Sequence, residues 1–369
     1  MENQTANNTN VTGDVTEQQG LPADKIIICV VFYIIVIVTI VGNVLVLMAI
    51  KAEKRLQTLF SYYIINLAVT DIAVAVTAMS FYTLDVTLGY WPFGEIMCAI
   101  WIFCDYGMTF ASVFTLIAIS LDRFWSVTWS LHYRTHHTRK KCLIIIGAIW
   151  LFMLVLWLPP CVVDRIRHRK PGVCIWEPSL NREFVIVIAV VGHHGAFLVL
   201  MFCYIRVLLF MRRRRVNVIE KQKVVNPDGV TLANKQLSVI DVGESFMRTG
   251  PANERRTEVS TGRIQVHPEQ LDVIVGTSER SKSSHNSRDR KVFVTLTYII
   301  AGYVICWLPF HIVFDVSCVS PDLVPKEIYT MTFWMTYLNS TLNPFLYNFS
   351  SKELRHACLK VLSGRCRTP

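Results

Sequence analysis

Three aspartates, Asp71, Asp105 and Asp122, stand inside long apolar runs of this chain. An ionised group held in hydrocarbon is costly, so an acid kept there is a candidate for function before packing. Asp105 lies seven residues after Cys98, two helical turns or about 10 Å along the axis. Asp122 follows seventeen residues later, about 25 Å further on. One helix therefore carries an acid near one mouth of the membrane and an Asp122-Arg123 pair near the other. Asp105, Thr109 and Ser112 share a helical face, which must turn into a bundle rather than towards lipid. A buried carboxylate open to water at one end invites a cation. The plainer alternative is an acid satisfied by neighbouring hydroxyls.

The aromatic residues bear on that choice. Tyr106 adjoins Asp105, and Trp307, Phe310, Trp334 and Tyr337 lie at matching depth in two later helices. Rings around an acid attract alkylammonium ions through their negative faces as well as through charge pairing. Any one of them alone reads as packing; the set at one depth reads as a cage.

The elements that must position these residues follow from composition. Of 369 residues, 52% are hydrophobic and 17% charged, against about a quarter charged in soluble domains. Runs long enough to cross about 30 Å of hydrocarbon, roughly 20 residues, occur at Ile26–Ile50, Tyr62–Leu88, Ile96–Val127, Cys142–Val163, Phe184–Met211, Val292–Val319 and Ile328–Phe349. The expected fold is an all-α membrane protein: a seven-transmembrane helix bundle with a short amphipathic eighth helix over Ser351–Leu362.

The net charge of +10 gathers in loops after the first, third, fifth and seventh runs, including Arg212 to Arg215. These loops share one side, which the positive-inside rule makes cytoplasmic. That placement argues against nucleic-acid binding. Arg165, Arg167, Arg169 and Lys170 run against the rule on the other side.

The chain divides into an extracellular N-terminus (1–25), helices one to five (26–211), a third cytoplasmic loop (212–290), helices six and seven (291–349), and an amphipathic helix with tail (350–369). The loop, rich in Asn, Ser and charged residues, is expected to be largely disordered. The N-terminus shows no signal-peptide core, so the first helix is expected to target itself. It carries acceptor patterns for glycosylation at Asn3, Asn7 and Asn10. The localisation expected is the cell membrane, multi-pass, with the N-terminus outside.

Several motifs in order resemble the rhodopsin-like (class A) G-protein-coupled receptors. They are Gly42-Asn43, Asn66-Leu67-Ala68-Val69-Thr70-Asp71, Asp122-Arg123-Phe124, Trp150, Cys306-Trp307-Leu308-Pro309 and Asn343-Pro344-Phe345-Leu346-Tyr347. Asp105 with Trp334 and Tyr337 resembles the aminergic branch, where the aspartate pairs with the ligand ammonium and the helix-seven rings help close the cage. Asp105-Tyr106 with Trp157 resembles muscarinic acetylcholine receptors, and Asp105-Tyr106 with Asp122-Arg123-Phe124 some histamine receptors. Ile188, Ala189 and Gly192 stand where catecholamine receptors carry serines. The resemblance thus favours acetylcholine or histamine-like ligands over catechols.

The chain departs from the pattern at His311, where muscarinic receptors have an asparagine, at Ala196, where a proline is usual, and at His193 and His194. His311 follows Phe310 and is expected to face the ligand, where an imidazole would make binding pH-sensitive.

The resemblance also implies a switch. Asp122 and Arg123 form its latch, with Asp289 at the foot of helix six as the arginine's partner in the inactive state. Tyr204, Asn343, Pro344 and Tyr347 belong to the same machinery. Asp71, Asn43, Ser112, Ser340 and Asn343 resemble the family's water network, with Asp71, Ser112, Ser340 and Asn343 around an allosteric sodium ion. Cys98 and Cys174 resemble its disulfide. Cys358 and Cys366, near the amphipathic stretch, are candidates for palmitoylation.

The partners expected are a small cationic amine, a heterotrimeric G protein, arrestin, a receptor kinase and membrane lipid. A peptide-binding receptor of the same class is the alternative. Transporters and channels predict repeats or pore charge rings, which the sequence lacks. An opsin would need a helix-seven lysine, and Tyr337 occupies that place. No metal-ligand spacing, nucleophile elbow or phosphate loop points to an enzyme.

Overall fold

The computed structural model describes residues 22–223 and 268–364, with side chains described at 22–214 and 293–364. Its helices are α1 (Ala23–Ala52), α2 (Ser61–Leu88), α3 (Gly94–Thr128), α4 (Arg139–Arg167), α5 (Arg182 to Lys223), α6 (Pro268–Val319), α7 (Lys326–Ser350) and α8 (Lys352–Leu362). A two-turn helix, Ser130–His136, links α3 to α4. Helices dominate because hydrocarbon offers backbone amides no partner, so each span must satisfy them within itself.

Six helices, α1 to α6, are long and apolar enough to cross a membrane. The seventh apolar run forms α7, 25 residues long, which is more polar because Thr332, Thr336, Asn339, Ser340, Thr341 and Asn343 are buried in the bundle. Aliphatic side chains such as Ile34, Val41, Leu151 and Ile186 point outward, as lipid-facing residues should. The interior holds polar ties instead. Asn66 donates to Thr115 at 2.8 Å and accepts from the Trp150 indole at 3.0 Å, joining α2, α3 and α4. Gly42 brings α1 against Pro344 of α7, where a β-carbon would meet the ring at 3.1 Å.

Two helices carry π-helical turns, Val74–Met79 in α2 and Ile188–Gly195 in α5. The second precedes Ala196, the position where a proline was the expected bend. Here the wide turn takes that role, burying His193 while leaving His194 exposed on one side.

The charge cluster at the end of α4 and just beyond it is largely self-neutralised. Arg165 pairs with Asp164, Arg167 with Glu183 at 2.6 Å, and Arg169 with Glu95 at 3.2 Å. The Cys98–Cys174 disulfide is formed and ties α3 to the loop after α4.

The long loop differs from expectation at its borders. Helix α5 continues to Lys223 and α6 begins at Pro268, so helix reaches into both ends of 212–290. Proline suits the first turn of a helix, where its missing N–H costs nothing. Asn3, Asn7, Asn10 and Cys366 lie outside the described residues.

Candidate functional site

Asp105 sits one-third of the way along α3, on its inward face, and is 1% exposed. Its Oδ1 accepts a hydrogen bond from the Tyr337 hydroxyl of α7 at 2.6 Å, while Oδ2 is buried with no hydrogen-bond partner. A buried carboxylate oxygen without a donor is unstable unless something supplies one. The carboxylate forms the floor of a cavity of about 220 Å³ that opens towards the disulfide end between α2, α3, α7 and the loop carrying Cys174.

Of the residues expected to contact a ligand, Asp105 and Tyr106 line this cavity. Trp157 backs Tyr106, stacked at 4.4 Å, and donates to the Ile102 carbonyl at 3.3 Å. Tyr337 acts from behind through Asp105. Trp334 is turned away, stacked on Phe32 of α1 at 3.8 Å. Phe310 packs edge-on to Phe333 at 5.3 Å, and Trp307 and His311 pack with His193 in a ring cluster where the two imidazoles stack at 4.8 Å. These three do not line the cavity. The Thr109 hydroxyl is buried without a partner.

Sequence reasoning missed much of the wall: Tyr82, Trp101, Trp176, Tyr329 and Phe333, with Asp85 and Lys326 nearer the mouth. For α7 the signal existed. Tyr329, Phe333 and Tyr337 recur every four residues, the spacing of one helical face. Their rings stand 6.1 and 5.3 Å apart in succession. Trp334 is one residue out of that register. Nothing local marks Trp176, which a loop delivers.

Deeper in the bundle Asp71 collects a polar knot. Its Oδ1 accepts from Ser112 at 2.9 Å and Ser340 at 2.7 Å, and its Oδ2 from Asn343 at 2.8 Å. Asn43 bridges to the carbonyls of Thr39 and Ser340. The residues expected around a sodium ion are thus in one place, and hydroxyl, amide and carboxylate oxygens are the donor set a hard cation takes.

At the far end of α3, Arg123 pairs with Asp122, with Nε 3.1 Å from Oδ2. Its guanidinium lies 3.7 Å from the centre of the Phe60 ring. Asp122 also accepts from Tyr133 at 3.1 Å and faces His137 Nε2 at 3.1 Å. Burial pulls the His137 imidazole below its ordinary range, against the opposing charge of Asp122. Phe60, Tyr133 and His137 were not anticipated, since their partners are set by loop folding. The side chain of Asp289, the expected partner of Arg123, lies outside the described residues. Tyr204 stacks with Phe293 at 6.0 Å, and the Tyr347 hydroxyl is buried beside α8 without a partner. Pro344 packs on Gly42. Cys358 is turned into the bundle, 4% exposed, and not towards lipid as a palmitoylated thiol must be.

The chain matches the family described as 7 transmembrane receptor (rhodopsin family) over residues 42–347. It is 28% identical to 5-hydroxytryptamine receptor 1B of Equus caballus over 93% of this chain and 87% of that protein. It is 29% identical to 5-hydroxytryptamine receptor 1D of Mus musculus, covering 96% and 94%. It is 27% identical to the alpha-1A adrenergic receptor of Cavia porcellus, covering 92% and 68%.

Proposed function

This chain belongs to the rhodopsin family of seven-transmembrane receptors, and on that premise we propose that it binds a small cationic amine at Asp105 and passes the signal to a heterotrimeric G protein. It is a multi-pass membrane receptor and not an enzyme. The observation that carries the amine reading is the half-satisfied Asp105 carboxylate at the floor of a ring-lined cavity. An ammonium supplies both the charge and the donor that Oδ2 lacks, and the neighbouring rings add cation–π attraction. Relatives named for 5-hydroxytryptamine and adrenergic ligands support the same class.

The disulfide end faces outside in this reading, with the N-terminus, and the Arg123 end meets the G protein, arrestin and a receptor kinase. The surplus of Lys and Arg at the Arg123 end supports that orientation. Ile188, Ala189 and Gly192 offer a catechol no hydroxyl, and Phe110 occupies the space beside Gly192. These α5 positions lie outside the cavity that Asp105 floors, so they weigh on a ligand reaching deeper, where acetylcholine or a histamine-like amine suits better than a catecholamine. We place a sodium ion at Asp71, held by the oxygens of Ser112, Ser340 and Asn343; it neutralises the acid in the resting receptor.

The test is a panel of acetylcholine, histamine, tyramine, octopamine, dopamine and serotonin on cells expressing the chain, with several second messengers read out. One amine should activate the parent and fail on Asp105→Asn present at the surface in equal amount. An agonist equally potent on that variant overturns the amine reading.

A further inference from the structure

We propose that Asp164 and Arg165, at the outer end of α4, are positioning residues that clamp the following loop and hold Trp176 in the cavity wall, so that release of the clamp sets how fast an amine enters and leaves. This rests on Asp105 as the seat of the amine and adds what governs access to it.

Trp176 has no polar tie of its own. It is buried, lines the cavity that Asp105 floors, and packs against Trp157 and Tyr106 with ring centres 5.2 and 6.0 Å away. Its indole N–H has no hydrogen-bond partner. The disulfide fixes the loop at Cys174, two residues earlier, but a single fixed point leaves a strand free to pivot.

Arg165 supplies a second point. Its guanidinium donates to the Ile175 carbonyl at 2.8 Å and reaches Cys98 Sγ at 3.0 Å, while its Nε donates to Asp164 at 2.8 Å. Asp164 supplies a third. Its other oxygen accepts from the Asn181 side-chain amide at 2.7 Å, and that amide also donates to the Glu177 carbonyl at 3.0 Å. Trp176 is thus bracketed by ties on residues 175 and 177. Arginine suits the task, since its planar fork holds several donors in fixed directions.

Burial gives the pair its meaning. Asp164 is 1% exposed, and a buried ion pair adds little stability over apolar side chains of the same size. Fixing the course of the loop is the better account of it. Neither residue lines the cavity, so neither touches the amine. Arg167, two residues on, pairs with Glu183 in the open, where such a contact is worth little.

The first measurement needs no ligand. Hydrogen exchange of segment 172–181 is followed in purified receptor with its disulfide intact. Arg165→Gln should speed it by about tenfold, the weight of one hydrogen bond to a charged group. Asp164→Asn combined with Arg165→Gln removes both charges, leaves neither buried unpaired, and should loosen the segment likewise. Arg167→Gln should not.

The second uses, in radiolabelled form, the amine that activates the parent in the six-compound panel. Arg165→Gln should quicken both association and dissociation, the latter by about tenfold. In a Trp176→Ala background the same substitution should change neither rate, because Arg165 acts through that ring.

Unchanged exchange and rates in both clamp variants, an equal effect from Arg167→Gln, or an effect on the rates that persists without Trp176 overturns the clamp. Fewer binding sites with unaltered rates overturns it too, since that marks a role in folding alone. Asp105→Asn that still binds the amine removes the amine reading instead and leaves the exchange result standing.

Discussion

The Tyr337 hydroxyl donates to one oxygen of Asp105 at 2.6 Å and leaves the other, equally buried, without a donor. The phenol both orients the carboxylate and makes it incomplete. A ligand ammonium then finds an acid already fixed in place, which lowers the ordering cost of binding.

Removing that orientation should weaken binding less than removing the charge. Tyr337→Phe is expected to lower agonist affinity by about tenfold, the net worth of one hydrogen bond to a charged group. Asp105→Asn should lower it by about thirtyfold or more, since losing one partner of a buried charge pair costs about 2–5 kcal/mol. Radioligand competition on membranes with matched receptor number would measure both. A larger loss for Tyr337→Phe would mean that the phenol itself holds the ligand.

Sodium should oppose agonist binding through Asp71. Agonist affinity in sodium chloride is expected to fall below that in an equal concentration of a large organic cation. Asp71→Asn should abolish the difference, because it keeps the size of the side chain and removes the charge. Parent receptor indifferent to sodium would remove the ion from this site.

Phe60 should restrain the receptor at rest. Its ring lies 3.7 Å from the Arg123 guanidinium, a contact worth about 0.5–2 kcal/mol. Phe60→Leu keeps the bulk and loses the ring's charge attraction. It should raise ligand-independent G-protein activation several-fold, measured as basal nucleotide exchange in membranes. Unchanged or lower basal exchange would show that Phe60 only packs.

His137 should make the Arg123 end weaken in acid. Burial holds its folded-state imidazole below the ordinary value, which is about 6.5 when unfolded. The unfolded chain therefore binds the proton first, so stability present above that value declines as pH falls through it. Thermal unfolding of purified receptor in detergent should show a lower midpoint at pH about 5.5 than at 7.5, and His137→Gln should shrink that difference. A difference of the same size in the variant would assign the acid sensitivity to other groups.

What the sequence determined alone is the architecture and the identity of its charged centres. Each apolar run declares its own span, because transfer to hydrocarbon is summed residue by residue and a helix satisfies its backbone without outside help. Asp71, Asp105 and Arg123 stand out for the same reason: a charge in such a run must be used.

Tertiary structure decided how each helix is turned and what reaches it from afar. One residue along α7 is a rotation of about 100°. That step separates Phe333 in the cavity wall from Trp334 against α1, and only packing with Phe32 and Tyr82 fixes which is which. Trp176, Phe60 and His137 reach their places through loops. Their partners are distant or set by loop folding, and no periodicity in the chain encodes where such a loop will lie.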